Sequence, residues 1–297
     1  FKELNDLPMS TTWVFVGLLA GRELAIAKNM TDYKFDYVFH FAADSHVDNS
    51  FENSLTFTRD NVYGTHVLIE ACRHHLPNVE FIHFSTDEVY GESVTDVPFK
   101  ESESVLKRTN PYSASKAAAE MIIHSYIESF NMNIKIIRCN NVYGPNQICE
   151  GKMATVIGIF ENCYKKNKPL PVVKPGNQTR RFTHIDDTVK VCYLSWKKNK
   201  CRHYSISNKS SYSILQVAKM FSSKIKLLPK RPGERYASAL TNMNLSKKIH
   251  KYFGKESLKE SRSKIVAAIK AKADNHAQNI AGIEEEIERI TQLANYH

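Results

Sequence analysis

The run Ser85-Thr86-Asp87-Glu88-Val89-Tyr90-Gly91 sets two adjacent carboxylates directly after an apolar stretch, Phe81-Ile82-His83-Phe84. Such a pair can supply both an acid and a base to one reacting spot, provided the surroundings split their proton affinities. A polar loop leaving a sheet has the same composition, so the stretch alone leaves both readings open. A second pair lies downstream. Tyr112 and Lys116 are four residues apart and share one face of a helix. A lysine one turn from a tyrosine stabilises the phenolate and lowers its pKa from about 10. A phenol tuned in this way can take a proton from a sugar or alcohol hydroxyl near neutral pH. Tyr-x-x-x-Lys by itself recurs by chance, and its position decides more than its presence. It opens a helix roughly twenty-five residues after the acidic strand end.

The elements that must carry these groups follow from periodicity. Apolar runs at 36–43, 79–85 and 134–139 read as buried strands, and 54–75 and 110–130 read as helices. In the first helix Leu55, Val62, Val67, Leu68 and Ala71 fall at helical spacing. In the second, Asn110 is placed to cap and Pro111 suits the first turn. Continuous apolar strands separated by helices imply an α/β fold, a parallel sheet covered on both faces. Ligands of such sheets bind beyond the carboxyl ends of the strands, where 41–48, 85–91 and 139–145 arrive together. After 147 the pattern loosens into helices near 153–165, 183–196 and 213–221, short strands at 170–173 and 203–207, and a loop at 229–236. From 261 onward the chain is helix-forming, and Ile280, Ile283, Ile287, Ile290 and Ala294 follow 3-then-4 spacing. That is a stripe suited to a short coiled coil or to docking on the body.

Composition bounds the class. The 297 residues are 42% hydrophobic and 24% charged, ordinary for a water-soluble globule with a sizeable core. No apolar run approaches the ~18 residues that span a bilayer, and the start lacks a signal-peptide pattern. Six scattered cysteines without Cys-x-x-Cys point to free thiols in a reducing, cytoplasmic setting and to no zinc site. His46 and His184 lack a second ligand at suitable spacing and read as structural or loop residues. The formal charge of +10 favours anionic partners. The basic clusters at 164–169 and 197–201 are short and carry no groove-reading motif, so nucleic acid is not among the expected partners.

Phe41–Asp48, Asn61–Arg73, Phe84–Glu92, Pro111–Glu120, Asn140–Pro145, Gln178–Val189 and Arg231–Tyr236 occur in an order and at spacings that resemble the extended short-chain dehydrogenase/reductases. Within them they are most similar to the nucleotide-sugar 4,6-dehydratases of the dTDP-glucose 4,6-dehydratase type. The resemblance covers about 33–250. Ser-Thr-Asp-Glu-Val-Tyr-Gly is the dehydratase form; related 4-epimerases carry small or neutral residues at the Asp87 and Glu88 positions. The resemblance implies a Rossmann-like sheet and NAD. It also implies that Tyr112 takes the sugar O4 proton as hydride leaves C4, with Lys116 beside it and Thr86 holding O4. Glu88 then removes the C5 proton and Asp87 protonates the departing C6 hydroxyl, after which hydride returns to C6. By the same resemblance Phe41, Ala42, Ala43, Asp44 and Ser45 follow the cofactor, with Tyr112 and Lys116 at its nicotinamide end. Ser45, Thr86, Asn141, Arg180, Arg231 and Arg235 face the nucleotide sugar, arginine suiting a diphosphate through bidentate contacts.

The implied layout is a dinucleotide-binding domain over 1–145, to which about 178–207 return, a smaller α+β substrate-binding lobe over 146–260, and a helical tail over 261–297. The expected assembly is a homodimer or larger. One departure stands out. The family's opening Gly-x-x-Gly-x-x-Gly turn, whose helix N-terminus cradles pyrophosphate, has no counterpart here. Gly17 and Gly21 lack that spacing and align with a later segment, where Leu18 stands at the position of an adenine-contacting aspartate. The N-terminal βαβ unit therefore reads as incomplete, and this chain alone is expected to bind NAD weakly or not at all. A truncated or processed chain, a nucleotide-binding pseudoenzyme and a partner supplying the missing part all fit that departure. A 4-epimerase and a non-catalytic assembly protein on the same scaffold are the alternative functions.

Overall fold

A computed structural model describes residues 30–230, except 33, 94–97, 103–107, 199, 209 and 222, together with 237, 258–260, 263, 264, 266 and 267. Residues 1–29, Arg231, Arg235 and the isoleucine stripe of the tail, on which several of these expectations rest, lie outside the described residues.

Strand β1 (Tyr37–His40) leads to helix α1 (Val47–Glu52), then to α2 (Ser54–Phe57), a π-helical stretch (Thr58–Tyr63) and α3 (Gly64–His75). Strand β2 (Glu80–Thr86) runs straight into a 3₁₀ turn (Asp87–Tyr90), and α4 (Pro111–Phe130) precedes β3 (Ile134–Cys139). Then follow β4 (Val142–Tyr143), α5 (Val156–Lys165), β5 (Leu170–Val173), β6 (Thr179–Arg180), β7 (Thr183–His184) and α6 (Ile185–Lys198). Next come β8 (His203–Ile206), β9 (Tyr212–Ser213), α7 (Ile214–Met220) and β10 (Ile225–Leu228).

Among the described residues, β1-β2-β3-β8 form one parallel sheet. Alternation along its strands sends successive side chains to opposite faces, and both faces are covered. Val38, Phe81, Ile134 and Ile136 pack with Leu68 and Ile69 of α3 and Ile123 and Ile127 of α4. Phe39, Ile82, Ile137 and Tyr204 pack with Val191 and Cys192 of α6. This is the expected Rossmann-like α/β arrangement. A second core joins Ile157 and Phe160 of α5, Leu170 and Val172 of β5 and Val217 and Phe221 by α7; Leu258 is buried in it. The pairs β5–β10 and β4–β7 are parallel and β6–β9 antiparallel.

Local signals explain the best-defined helix. Asn110 accepts from the Ser113 backbone N–H at 2.8 Å while the Ser113 hydroxyl sits 3.3 Å from the Asn110 N–H, a reciprocal cap with Pro111 in the first turn. Leu55, expected on the apolar stripe of 54–75, is instead 84% exposed. The π-helical stretch at Thr58–Tyr63 separates α2 from α3, and the insertion it represents rotates the first turn out of register with the stripe that Leu68 and Ala71 continue. All six cysteines are free. Among the described residues no helix is long and apolar enough to cross a membrane.

Candidate active site

The carboxyl ends of β2 and β3 open on a cavity of about 1020 Å³ that also reaches the smaller elements from α5 to β10. Its sheet-side wall carries Ser45, Thr86, Asp87, Glu88, Tyr112, Cys139 and Asn141. These are residues from four separate segments, and the parallel topology is what collects them.

Asp87 and Glu88 begin the 3₁₀ turn and are buried, at 2% and 9% exposure, although both line the cavity. The Thr86 hydroxyl accepts from the Glu88 N–H at 3.2 Å and so caps that turn. Asn110 donates through Nδ2 to the Glu88 carboxylate at 3.2 Å. The residue that caps α4, and thereby fixes Tyr112 two positions on, thus also holds the second acid. Sequence reasoning found Asn110 only as a helix cap; its spacing carries no signal for a contact twenty-two residues back.

Tyr112 is buried in the first turn of α4. Burial pushes its phenol well above the ordinary tyrosine value; a hydrogen bond with Thr86 pulls it down, and the Glu88 and Asp87 charges push it further up. The expected lowering by Lys116 is not what the structure shows, and the geometry gives the reason. The Lys116 ammonium donates to the Phe84 carbonyl at 2.6 Å and lies 3.4 Å from His83 Nε2, turned toward β2 rather than the cavity. Burial lowers Lys116 to about 8, against opposing influence from Glu120 and Cys139. His83 and its register partner His40, with rings 5.2 Å apart, are both held well below the usual histidine value by burial and then by Lys116. His83 Nε2 is thus placed to accept from the ammonium, whereas His40 Nε2 donates to the Thr65 hydroxyl, whose own proton goes to the Asn61 carbonyl.

The expected cofactor-side residues follow β1. Phe41 is half exposed and stacks on Phe84 with ring centroids 3.8 Å apart. Asp44 exchanges backbone hydrogen bonds with the Asn61 side chain, 2.8 and 2.9 Å, and Asn61 also donates to the Ser115 hydroxyl at 2.9 Å. Ala42 and Ala43, half-buried, lie between these anchors. Of this group Ser45 alone lines the cavity.

The wall contributed by the smaller elements and their loops carries Lys152, Arg180 and Lys230. Asn141 has φ +28 and its backbone carbonyl accepts from the Thr183 N–H at 3.2 Å; asparagine tolerates that conformation better than most residues. Two residues that spacing did not single out also bear on the site. Burial pushes the Cys139 thiol up to about 12, with Asp87 adding to the rise. Arg181 donates to the Asn208 carbonyl at 3.2 Å and lies within electrostatic reach of Asp87. His184 packs edge-on against Tyr143, with centroids 5.3 Å apart, and among the described residues no cluster of three metal-ligating side chains occurs.

A family model described as GDP-mannose 4,6 dehydratase matches residues 22–277. A trifunctional UDP-glucose 4,6-dehydratase/3,5-epimerase/reductase of Arabidopsis thaliana is 40% identical over 220 residues, 73% of this chain and 32% of its own length. A dTDP-D-glucose 4,6-dehydratase of Bos taurus is 45% identical over 188 residues, 63% of this chain and 51% of its own. The chain thus spans between about a third and a half of these curated relatives. Among solved structures, a dTDP-glucose 4,6-dehydratase of Streptomyces venezuelae with NAD bound superposes with TM-score 0.74 at 25% identity, over 86% of this chain and 78% of that one. A UDP-glucuronic acid 4-epimerase of Bacillus cereus, also with NAD, gives 0.73 at 27% identity, over 83% and 78%.

Proposed function

The chain belongs to the GDP-mannose 4,6 dehydratase family, and from that premise we propose that it serves the NAD-dependent dehydration of a nucleotide-activated hexose to its 4-keto-6-deoxy form. One observation carries the reading over a 4-epimerase: two buried carboxylates, Asp87 and Glu88, line the same cavity as Tyr112. An epimerase needs no acid–base pair beyond its tyrosine, whereas removing water across C5 and C6 needs both.

The chemistry that NAD would supply when bound is hydride acceptance at C4 and hydride return at C6. The residues present fit its nicotinamide end. Ala42 and Ala43 offer small side chains at the end of β1. The Lys116 ammonium has three donors, with two protein partners, which leaves one for a ribose hydroxyl. For the pyrophosphate the 297 residues hold no Gly-x-x-Gly-x-x-Gly turn. This chain alone is therefore expected to bind NAD weakly, each lost charge-assisted hydrogen bond removing ~1.5–3 kcal/mol.

Each step then has a named group. Thr86 aligns the O4 hydroxyl and Tyr112 takes its proton. Burial, and then the Glu88 and Asp87 charges, raise the phenol's hold on its own proton; the positive charge of the oxidised cofactor would oppose them. The resulting ketone acidifies the C5 proton, which Glu88 removes while held by Asn110. Asp87 delivers a proton to the leaving C6 hydroxyl. Ser45 and Asn141 serve the sugar and Arg180 the diphosphate, a part that the resemblance also gives to Arg231 and Arg235, which lie outside the described residues. The lobe over 146–260 serves as the substrate-binding half, and the assembly is a homodimer or larger in the cytoplasm. The test is to incubate the chain with excess NAD and, in turn, dTDP-glucose, UDP-glucose and GDP-mannose. A product lighter by one water supports the reading; a C4 epimer of unchanged mass, or no product with any donor, overturns it.

A further inference from the structure

Behind the cavity wall lies a buried polar assembly to which the proposed chemistry assigns no role. Arg138 precedes Cys139 on β3. Its Nε and Nη2 donate to the two oxygens of Glu120, at 3.1 and 2.5 Å. Its Nη1 donates to the Tyr90 hydroxyl and to the Glu101 carbonyl, both at 2.7 Å. The guanidinium also lies 4.7 Å from the centre of the Tyr90 ring. The Tyr90 hydroxyl is 3.1 Å from Ser205 Oγ on β8, and the Ser205 N–H donates to the Glu101 carboxylate at 2.9 Å. Arg138, Glu120, Tyr90, Glu101 and Ser205 are all buried.

A buried ion pair is a poor way to gain stability, because desolvating both charges offsets most of their attraction and an apolar replacement of like volume does as well. What it supplies is registration: four of the five guanidinium donors have fixed partners on separate segments. Two of those segments carry the reacting groups. Tyr90 closes the same 3₁₀ turn that Asp87 and Glu88 open. Glu120 stands on α4 one turn beyond Lys116 and two turns beyond Tyr112. The guanidinium is thus a short link between the acid–base pair and the tyrosine, passing behind the wall rather than through the cavity.

We propose that Arg138 is a positioning residue: through Tyr90 and Glu120 it sets the Asp87–Glu88 turn at a fixed place relative to Tyr112. The chemical consequence rests on the dehydratase reading; the mechanical one does not. Tyr90→Phe tests it, because the ring stays while the hydroxyl's hydrogen bonds to Arg138 and Ser205 go. Amide hydrogen exchange on the full chain is expected to quicken about tenfold within 85–91, with smaller changes around its partner Ser205, and the thermal midpoint to fall by a few degrees at most, as for a local loosening. Under saturating NAD and substrate, kcat is expected to fall ~10–100-fold, the scale of a small misplacement of catalytic groups, while KM stays within about twofold. Arg138→Lys, which keeps the charge and loses the fork, is expected to give the same local pattern. Exchange that is unchanged at 85–91, or that rises equally across the whole chain, overturns the proposal, as does a change confined to KM. Absence of turnover in the unmodified chain counts against the dehydratase reading, and the exchange pattern still decides this one.

Discussion

The two walls of the cavity are built on different plans. The sheet-side wall takes Thr86, Asp87, Glu88, Tyr112 and Cys139 from strand ends and a reciprocally capped helix, with hydrogen bonds tying Thr86 to the Glu88 N–H and Asn110 both to the Glu88 carboxylate and to the helix start. The facing wall takes Lys152, Arg180 and Lys230 from two-residue strands and connecting loops, with side chains partly or fully open to water. Proton transfer gains little unless its groups are held to a fraction of an ångström, so it belongs on elements that cannot shift. A diphosphate is a large charge that flexible cations can follow, so its recognition tolerates short ribbons. The division predicts that substitutions on the first wall act on the chemical step and those on the second on binding.

The largest expected effect lies on the sheet side. Asp87→Asn and Glu88→Gln should each slow dehydration by ~10²–10⁴-fold, the usual worth of a positioned acid or base. Oxidation at C4, followed as reduced cofactor absorbance in a single turnover, should survive in both. Full activity in either variant would reduce the pair to loop residues. Next in size is the cofactor. Calorimetry on the 297-residue chain should find NAD binding weaker than micromolar, and grafting a family-like strand, glycine turn and helix before β1 should restore tight binding. Micromolar affinity in the chain as it stands would mean that residues 1–29 supply a cradle of another kind.

Lys116 gives a smaller effect with a defined sign. Its folded-state value is about 8 against an ordinary 10.5, so the unfolded chain binds that proton more tightly. Burial of the ammonium therefore costs stability below about pH 8, and the cost is relieved as pH rises toward 10.5. Lys116→Met should abolish turnover yet raise the thermal midpoint at pH 7 by about 2–4 °C, the shift of ~1 kcal/mol in a chain of this size. The gain should close by about pH 10.5. A midpoint that falls at pH 7 would show that the Phe84 carbonyl and His83 need the ammonium more than it needs water. The smallest effect belongs to the facing wall. Arg180→Ala and Lys230→Ala should raise KM ~2–10-fold with kcat unchanged, and the difference should shrink with added salt.

How much of this was readable in advance follows from the range of each interaction. The helix from Pro111 and the strand Ile134–Cys139 were legible to the residue, because caps and apolar runs are local. The sheet, with both faces covered, followed from continuous apolar strands. The acid–base pair was legible as two carboxylates after a strand, and its chemistry only through resemblance. The orientation of Lys116 was not legible: Tyr-x-x-x-Lys fixes a shared helix face but not which acceptor on β2 the ammonium finds. Leu55 fit a helical stripe that the π-helical stretch breaks. The links from Asn110 to Glu88 and from Arg138 to Tyr90 and Glu120 span 22, 48 and 18 residues. No spacing rule reaches across strands that the fold alone brings together.

The central claim is that the paired carboxylates perform an elimination that starts from a 4-keto sugar. It is tested most directly by running the chain with excess NAD and its best nucleotide hexose in deuterium oxide and weighing the product. The account predicts loss of one water and gain of one deuterium, placed at C5, because Glu88 removes that proton to solvent and the carbon recovers its hydrogen from there. With Glu88→Gln both changes should disappear. A product that has lost water without deuterium at C5, or undiminished product from Glu88→Gln, would contradict it.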